Sequence, residues 1–140
     1  MYSNILVTVA YDEGHDATPS LSVAKTLLSE GGQITLIHVM EPAPVFALNY
    51  LPDGWREDLR KAIEADLASL AADFDNVATV VTEGDAAHEV LEHARAQSVD
   101  CIVIASHRPG TQSLLLGSTA SKVVSRAQCA VHVARRPSTV

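Results

Sequence analysis

Cys101-Ile-Val-Ile-Ala105 is an apolar run without a polar interruption, and it leads through a polar stretch into a helical pattern that begins at Ser118. A continuous apolar run is typical of a strand covered on both faces, as in the parallel sheets of α/β proteins. The stretch from Ser3 to Ala10 has the same character. The two runs predict two central strands of one sheet.

Strand and helix patterns alternate along the rest of the chain. Further strands are predicted at Ile34 to Val39, Val77 to Val81 and Ala130 to Ala134. Helices are predicted from the cap Thr18 to Gly31-Gly32, from Trp55 to Phe74, after the cap Asp85, and from Ser118. Strands that alternate with helices pair in parallel through right-handed crossovers and carry helices on both faces. The sequence therefore predicts an α/β fold, a single doubly wound domain of five parallel strands over residues 1–140.

Two of the predicted helices have a defined apolar face. In the long helix the inward residues step by three or four, namely Trp55, Leu59, Ile63, Leu67, Leu70 and Phe74. In the last helix they are Ala120, Val123, Val124 and Ala127. We expect both faces to pack on the sheet.

Composition and charge exclude several classes of protein. The chain of 140 residues is 47% apolar and carries a net charge of −7. A chain of this size buries enough surface to fold without a metal or a disulfide. The negative charge argues against nucleic-acid and anionic-membrane partners. No apolar run reaches the length of about 20 residues that crosses a bilayer.

The start of the chain has no basic region before its first apolar run, and it is therefore predicted to be mature sequence rather than a secretion signal. Cys101 and Cys129 lie in separate strand-like segments without CxxC spacing. Buried free thiols are the expected state of such cysteines in a reducing compartment. We therefore expect a soluble, cytoplasmic protein.

A candidate ligand site lies where predicted strands end. In doubly wound sheets ligands bind outside the carboxyl ends of the strands, here after Ala10, Val39 and Ala105. The helix that begins at Gly117-Ser118 offers unpaired backbone amides to a phosphate. The alternative is that this pair is an ordinary turn glycine and an ordinary helix cap. Three basic residues lie near this loop in sequence, namely Arg108, Lys122 and Arg126.

Six segments carry a resemblance to a known family. They are Ile5-Leu-Val-Thr-Val9, Leu36-Ile-His-Val39, Glu83-Gly-Asp85, Ile104-Ala-Ser-His107, Leu115-Leu-Gly-Ser118 and Cys129-Ala-Val-His-Val133. Over its whole length the chain resembles the universal stress proteins, in particular those with Ser-His-Arg-Pro after the fourth strand. The resemblance implies strand order 3-2-1-4-5 in an adenine nucleotide alpha hydrolase-like fold. It also implies a binding site for ATP, with or without magnesium.

The resemblance assigns the site residue by residue. The backbone of Val39 lies against adenine, and the backbone of Ala105 and Ser106 lies beside the ribose. Loop contacts come from His107, Arg108 and Gly110, and phosphate contacts come from Gly117, Ser118 and Thr119. Arg108 either binds phosphate or fills the space that phosphate needs, and His107 is a ligand contact or a solvent-facing residue.

Two departures from the family pattern affect this site. The ATP-binding relatives have Gly-x-x-Gly, nine residues, and then Gly-Ser or Gly-Thr. Here Ala105 and Arg108 replace the two glycines, and eight residues separate Arg108 from Gly117. The relatives also end their first strand with an Asp that approaches the ribose. This chain has Ala10 there, with Asp12 as an imperfect substitute.

The leading hypothesis is a non-enzymatic sensor or regulator of the stress response that binds ATP. The rival hypothesis is an interaction module of the same fold that binds no nucleotide. An apolar strand from Ala130 to Ala134 at the sheet edge predicts a homodimer, as the resemblance also implies, whereas Arg135 and Arg136 favour a guarded edge in a monomer. A zinc site at His88 and His93 is rejected, since a five-residue step places the rings on different faces of a helix.

Overall fold

The computed structural model describes residues 1–11, 17–106 and 117–135. The strands are β1 (Tyr2–Thr8), β2 (Leu28–Met40), β3 (Val77–Glu83), β4 (Cys101–Ser106) and β5 (Ala130–Arg135). The helices are α1 (Thr18–Leu27), α2 (Trp55–Ala71), α3 (Ala86–Ala96) and α4 (Ser118–Arg126), and a 3₁₀ helix spans Val45–Tyr50 between β2 and α2. Four predicted site residues, Asp12, His107, Arg108 and Gly110, lie outside the described residues.

The five strands form one sheet in the order β3-β2-β1-β4-β5, and every neighbouring pair is parallel. This confirms the predicted fold class and strand order. At the centre, Ile5 of β1 pairs with Ile34 of β2 and with Cys101 of β4. Three consecutive β1 residues, Ile5, Leu6 and Val7, are fully buried because helices cover both faces of the sheet.

Each face of the sheet has its own apolar core. On one face, side chains of α1 and α2 such as Leu21 and Leu67 pack against the sheet. On the other face, Val90 of α3 and Val123 of α4 do the same. The side chains of a strand alternate between faces, so neighbouring residues of β1 enter different cores. The domain is therefore doubly wound, as predicted.

The boundary between α1 and β2 differs from the prediction. The helix ends at Leu27, and β2 begins at once and contains the Gly31-Gly32 pair that was expected to end the helix. Between the pairs Tyr2–Leu28 and Asn4–Gln33, β2 has extra residues that bulge out of the ladder. Gly31 adopts a φ of 80°, which glycine tolerates best. The glycines therefore serve a bulge rather than a helix end.

The cap of α1 also lies one residue before the predicted position. Ala17 rather than Thr18 occupies the cap position, and its backbone is already helical. Thr18 is the first helical residue, and Pro19 lies in the first turn as predicted. In contrast, Asp85 caps α3 as predicted, since its carboxylate accepts a hydrogen bond from the His88 amide at 3.0 Å.

Two inward assignments on the helices are wrong. Leu59 of α2 and Val124 of α4 are each 44% exposed. Val124 follows the fully buried Val123, and one step along a helix turns by about 100° away from the core. Leu59 lies one turn before the buried Ile63 and faces open volume at the carboxyl edge of the sheet. Phe74 does pack on the core, but from the turn after α2 ends.

Cys101 is buried and Cys129 is partly buried, and both are free thiols, as expected. Burial, followed by repulsion from Cys129 and Asp100, raises the pKa of the Cys101 thiol to about 11. A thiol with such a pKa is almost entirely protonated at neutral pH and reacts slowly. Within the residues that the structure describes, no helix combines the length and apolar character needed to span a membrane.

A carboxylate holds β1 to β4 at the amino end of the sheet. Asp100, just before β4, accepts hydrogen bonds from the amides of Ser3 at 2.9 Å and Asn4 at 3.0 Å, and from the Ser3 hydroxyl at 3.0 Å. Its own amide donates to the Asn4 carbonyl at 2.9 Å. Partial burial raises the pKa of the Asp100 carboxyl, but the hydrogen bonds from Ser3 and Asn4 outweigh burial and hold this pKa below its ordinary value.

The first prediction concerns this carboxylate. In Asp100→Asn one of the two backbone amides loses its acceptor, and we expect the free energy of unfolding at pH 7 to fall by about 1–2 kcal/mol. Because the folded pKa is depressed, the stabilisation is complete above the ordinary aspartate pKa of about 3.9 and is lost as the pH falls through the folded pKa. Urea denaturation of both proteins at pH 7 and at pH values below 4 measures the difference.

The matched control is Asp73→Asn, which neutralises an exposed carboxylate in the turn after α2. We expect this control to be close to neutral for stability. An equal loss of stability in both variants, or a loss in Asp100→Asn that does not shrink at acid pH, would contradict the assignment.

Candidate functional site

A cavity of about 820 Å³ opens at the carboxyl ends of β1, β2 and β4. It lies where the chain leaves β1 toward one side of the sheet and β4 toward the other, which is the position at which doubly wound folds bind ligands. The described residues that line it are Thr8, Val9, Ala10, Tyr11, Ile37, His38, Val39, Glu41, Leu59, Ala62, Ile63, Asp66, Ala86, Val90, Ile104, Ala105, Gly117, Ser118, Thr119 and Ala120.

The first turn of α4 forms one wall. Gly117 is the cap residue, and the first helical hydrogen bond runs from the Ser121 amide to the Gly117 carbonyl at 2.9 Å. Glycine has no side chain to cap the helix, and the amides of the first turn have no partner within the helix. These amides and the positive end of the helix dipole favour an anion at this wall.

Gly117 does not adopt a conformation that requires glycine. Its φ is −62° and its ψ is 164°, a region that every residue adopts. The glycine therefore contributes an open approach to the helix start rather than an unusual backbone. Ser118, the first helical residue, adds a hydroxyl next to the same amides.

Three polar side chains form a connected wall on the other side of the cavity. The Tyr11 hydroxyl donates to Asp66 Oδ2 of α2 at 2.5 Å. The Tyr11 ring contacts the His38 ring edge-on, with the centroids 4.9 Å apart. His38 Nδ1 lies 2.7 Å from the Val9 carbonyl, and the Val9 amide donates to the Ile37 carbonyl at 2.8 Å. This wall therefore connects the ends of β1 and β2 to α2.

The hydroxyl of Tyr11 remains a donor across the physiological range. Burial raises its pKa, and the hydrogen bond to Asp66 and repulsion from that carboxylate raise it further above the ordinary tyrosine value. Ionisation would place two negative charges beside each other, which is unfavourable.

The charge of the cavity differs from the sequence expectation. Among its described lining residues the formal charges are those of Glu41 and Asp66, with no lysine or arginine. Lys122 and Arg126 lie near the predicted phosphate loop in sequence, but both lie further along α4 and do not line this cavity. Arg126 instead lines a second cavity of about 360 Å³ between α3 and α4. The anion-favouring group of the described site is therefore the helix start.

The structure brings together most of the predicted site residues that it describes. Ala10, Val39, Ala105, Gly117, Ser118 and Thr119 all line the cavity. Ser106 is the last residue of β4, directly after Ala105. Val39 and Ala105 are separated by more than sixty positions of sequence but meet through the pairing of β2 and β4 with β1.

Sequence reasoning missed the wall of Tyr11, His38 and Asp66. His38 lies inside the motif Leu36-Ile-His-Val39, of which only the Val39 backbone is predicted to contact the ligand, and Tyr11 belongs to no motif. Asp66 lies at the border of the apolar stripe of α2, where an exposed carboxylate resembles any solvated helix residue. A signal existed only for Asp66, which lies seven positions after Leu59 and thus near the same side of the helix.

Several known proteins are similar to this chain. A family model described as the universal stress protein family matches residues 1–135. Universal stress protein A homolog 2 of Coxiella burnetii is 33% identical over 143 residues, which cover 96% of this chain and 95% of that protein. The solved structure of hypothetical protein MJ0577 shares the fold with a TM-score of 0.82 at 20% identity, covering 99% of both chains.

Two further solved structures with this fold are described as nucleotide complexes. One is a universal stress protein in complex with cAMP, with a TM-score of 0.60 at 20% identity, covering 94% of this chain and 95% of that one. The other is the universal stress protein from Archaeoglobus fulgidus in complex with dAMP, with a TM-score of 0.63 at 14% identity, covering 94% and 97%.

The second prediction tests the contact between Tyr11 and Asp66. In Asp66→Asn the charged acceptor is gone, and with it the repulsion that opposes ionisation of Tyr11, whereas the burial of Tyr11 is unchanged. We therefore expect Tyr11 to ionise at a lower pH than in the parent protein, but still above the ordinary tyrosine value of about 10. Near-ultraviolet absorbance during an alkaline titration measures tyrosinate, and Tyr11→Phe identifies the Tyr11 component among the three tyrosines.

The control for this titration is Asp58→Asn, which neutralises an exposed carboxylate on the same helix away from the cavity. We expect no change in the titration of Tyr11 in this variant. An unchanged titration in Asp66→Asn would show that Asp66 does not hold the phenol.

Proposed function

The chain belongs to the universal stress protein family, and we propose that it binds an adenine nucleotide, ATP in particular, in the cavity at the carboxyl ends of β1, β2 and β4. In this proposal the protein is a cytoplasmic sensor or regulator, and it holds the nucleotide without catalysing its turnover.

One observation carries the proposal. A single cavity joins the strand ends that bind ligands in doubly wound folds to the free amides of the α4 start. Its volume of about 820 Å³ falls within the range of about 300–1,000 Å³ for small-molecule sites. Gly117 and Ser118 are positioned to meet a phosphate, and Val39 and Ala105 supply backbone at the ends of β2 and β4.

The nucleotide complexes of two fold neighbours support the choice of ligand class. The ligands in their descriptions, cAMP and dAMP, share an adenine base and a phosphate. An adenine nucleotide suits this cavity because its anionic phosphate matches the amides of the α4 start, and its neutral nucleoside avoids repulsion by Glu41 and Asp66. ATP is the form that the sequence motifs favour, through Gly117 and Ser118.

Bound nucleotide would act on the protein by mass action. A ligand that binds only the folded state stabilises it by RT ln(1 + [L]/Kd), which is about 2.7 kcal/mol at 100 times Kd. The carboxyl ends of β1 and β2 and the start of α4 would all contact one nucleotide, so the relative positions of these three elements would become fixed. A regulator needs no more than such a shift in stability or partner affinity.

A second candidate function, an interaction module without a nucleotide, is favoured by the charge of the cavity. Glu41 and Asp66 are acidic, the described lining contributes no basic side chain, and Ala10 replaces a carboxylate that ATP-binding relatives place at the ribose. These features weaken attraction for a polyanion. The two functions differ in one measurable property, the heat of nucleotide binding.

The third prediction distinguishes the two functions. Calorimetric titration with Mg-ATP should give a saturable isotherm in the parent protein, and Ser118→Ala should weaken binding by about 3- to 10-fold through the loss of one hydrogen bond. The variant Ser121→Ala, one turn further along α4 and outside the cavity lining, is the matched control. No heat at millimolar Mg-ATP would favour the interaction module, and phosphate release above background would contradict a non-catalytic role.

We also propose that the protein forms a homodimer through β5. This strand is at one edge of the sheet, and Ala130 and His132 are exposed on it. The opposite edge, β3, is less available because Arg60 of α2 donates to the Val81 carbonyl at 2.9 Å. An edge strand with free backbone groups pairs readily with a second copy across a two-fold axis.

The fourth prediction tests the dimer. His132→Lys places a lysine on each β5 edge, and like charges across a two-fold interface are unfavourable. We expect the dimer to weaken by at least about tenfold in sedimentation velocity across a concentration series. Thr79→Lys, which places the same charge on the exposed β3 edge, should leave the dimer intact. Dissociation by the β3 variant alone would place the interface elsewhere.

A further inference from the structure

The two walls of the cavity are chemically opposite, and this inference rests on the proposed nucleotide function. The α4 wall presents hydrogen-bond donors, the amides after Gly117. The wall made by Tyr11, His38 and Asp66 belongs to the α2 side of the sheet. A ligand that spans the cavity meets both walls, so the chemistry of each wall sets which end of the ligand it receives.

Asp66 is the principal group of the second wall. Its Oδ2 accepts the Tyr11 hydroxyl, and a carboxylate offers about four lone-pair positions. Acceptor capacity therefore remains after the Tyr11 bond is made. An ionised carboxylate donates no hydrogen bond, so the only ligand groups that it can bind are donors or cations.

His38 adds a second acceptor to this wall. Its Nδ1 lies 2.7 Å from the Val9 carbonyl, and a carbonyl can only accept, so we assign the proton to Nδ1. In the neutral ring Nε2 then accepts. Among the described residues no hydrogen-bond donor to His38 Nε2 is found. The contact with the Tyr11 ring limits how far the imidazole can turn.

This wall disfavours phosphate. Asp66 and Glu41 are negative, and the described lining contains no lysine or arginine to offset them. A phosphate next to Asp66 would meet like charge without a donor, since the Tyr11 hydroxyl is already committed to Asp66. The neutral end of a nucleotide has what this wall lacks, namely hydroxyl and amino donors.

We propose that Asp66, positioned by Tyr11, binds a hydrogen-bond donor on the nucleoside end of the ligand, while the α4 start binds the phosphate end. The ligand orientation is thus set by two walls of opposite hydrogen-bonding character. Asp66 supplies a carboxylate from a helix, on the side of the cavity where the chain leaves β1 through Ala10 and Tyr11. Tyr11 is a positioning residue in this arrangement, and His38 supports it.

The test compares ATP with adenosine, which lacks the phosphate end. Both ligands are titrated into the parent protein and into Asp66→Asn, Ser118→Ala and Asp58→Asn. We expect Asp66→Asn to weaken ATP and adenosine by the same factor, about tenfold. Ser118→Ala should weaken ATP and leave adenosine unchanged. Asp58→Asn, on the exposed side of α2, should change neither.

Two further arms identify the donor and check the role of Tyr11. 2′-Deoxyadenosine and purine riboside each lack one donor, the ribose 2′-hydroxyl or the base amino group. Asp66→Asn should have no effect on the analogue that lacks the donor bound by Asp66. Tyr11→Phe leaves the carboxylate but frees it to rotate, so adenosine and ATP should weaken together by a smaller factor than in Asp66→Asn.

The outcomes distinguish failure of this inference from failure of the proposed function. If the parent protein binds neither ATP nor adenosine, both fail. If it binds ATP but Asp66→Asn changes nothing, or tightens ATP, only the inference is overturned, since tighter binding would mean that the carboxylate faces phosphate. Failure of adenosine to bind at millimolar concentration while ATP binds also overturns it. Thermal unfolding of each variant confirms that the protein remains folded, and Tyr11→Phe provides a second readout should Asp66→Asn fail to fold.

Discussion

The pairing of β1 with β2 on one side and with β4 on the other is the constraint on which the rest of the structure depends. Because all five strands are parallel, their carboxyl ends lie at one edge, and every connection must return across a face of the sheet. The chain passes over one face after β1 and over the other after β4. The connections diverge at these two neighbouring strands, and the cavity lies between them.

The same geometry gives the cavity its two unlike walls. One face of the sheet contributes α2 with Asp66, and the other contributes the start of α4. A helix start always presents amide donors, whereas the middle of a helix presents only its side chains. The difference between the walls therefore follows from where each helix meets the sheet edge. A ligand with one anionic end and one neutral end suits such a cavity better than a symmetric anion does.

Stability and site chemistry are divided between the two ends of the sheet. At the amino end, Asp100 is satisfied by the amides of Ser3 and Asn4 and has a structural role. At the carboxyl end, Asp66 has one described partner, Tyr11, and faces open volume. Two carboxylates of the same type thus differ in role because one has its acceptor capacity filled by backbone and the other retains spare capacity.

Particular elements show how far sequence patterns reach. The uninterrupted run at Cys101 to Ala105 predicted a central strand because both of its faces are covered, and β4 is such a strand. The pattern failed at Gly31-Gly32, where glycines read as a helix end serve a bulge in β2. It also failed at Val124, because the width of the buried face of α4 depends on how the helix sits on the sheet. The local pattern gives the periodicity of a helix, and the packing of the helix on the sheet decides which of its residues are buried.

The sequence by itself determined the α/β class, the parallel sheet, the family and the helix start at Gly117-Ser118, because each of these follows from short local patterns and from their order along the chain. Tertiary structure alone decided that Tyr11, His38 and Asp66 form one wall opposite that helix start, joined by the hydrogen bond from Tyr11 to Asp66 and by the ring contact between Tyr11 and His38. These residues come from a strand end, a strand and a helix that are up to 55 positions apart. No local periodicity relates them, and only the packing of α2 over β2 and β3 brings Asp66 to the residues at the ends of β1 and β2.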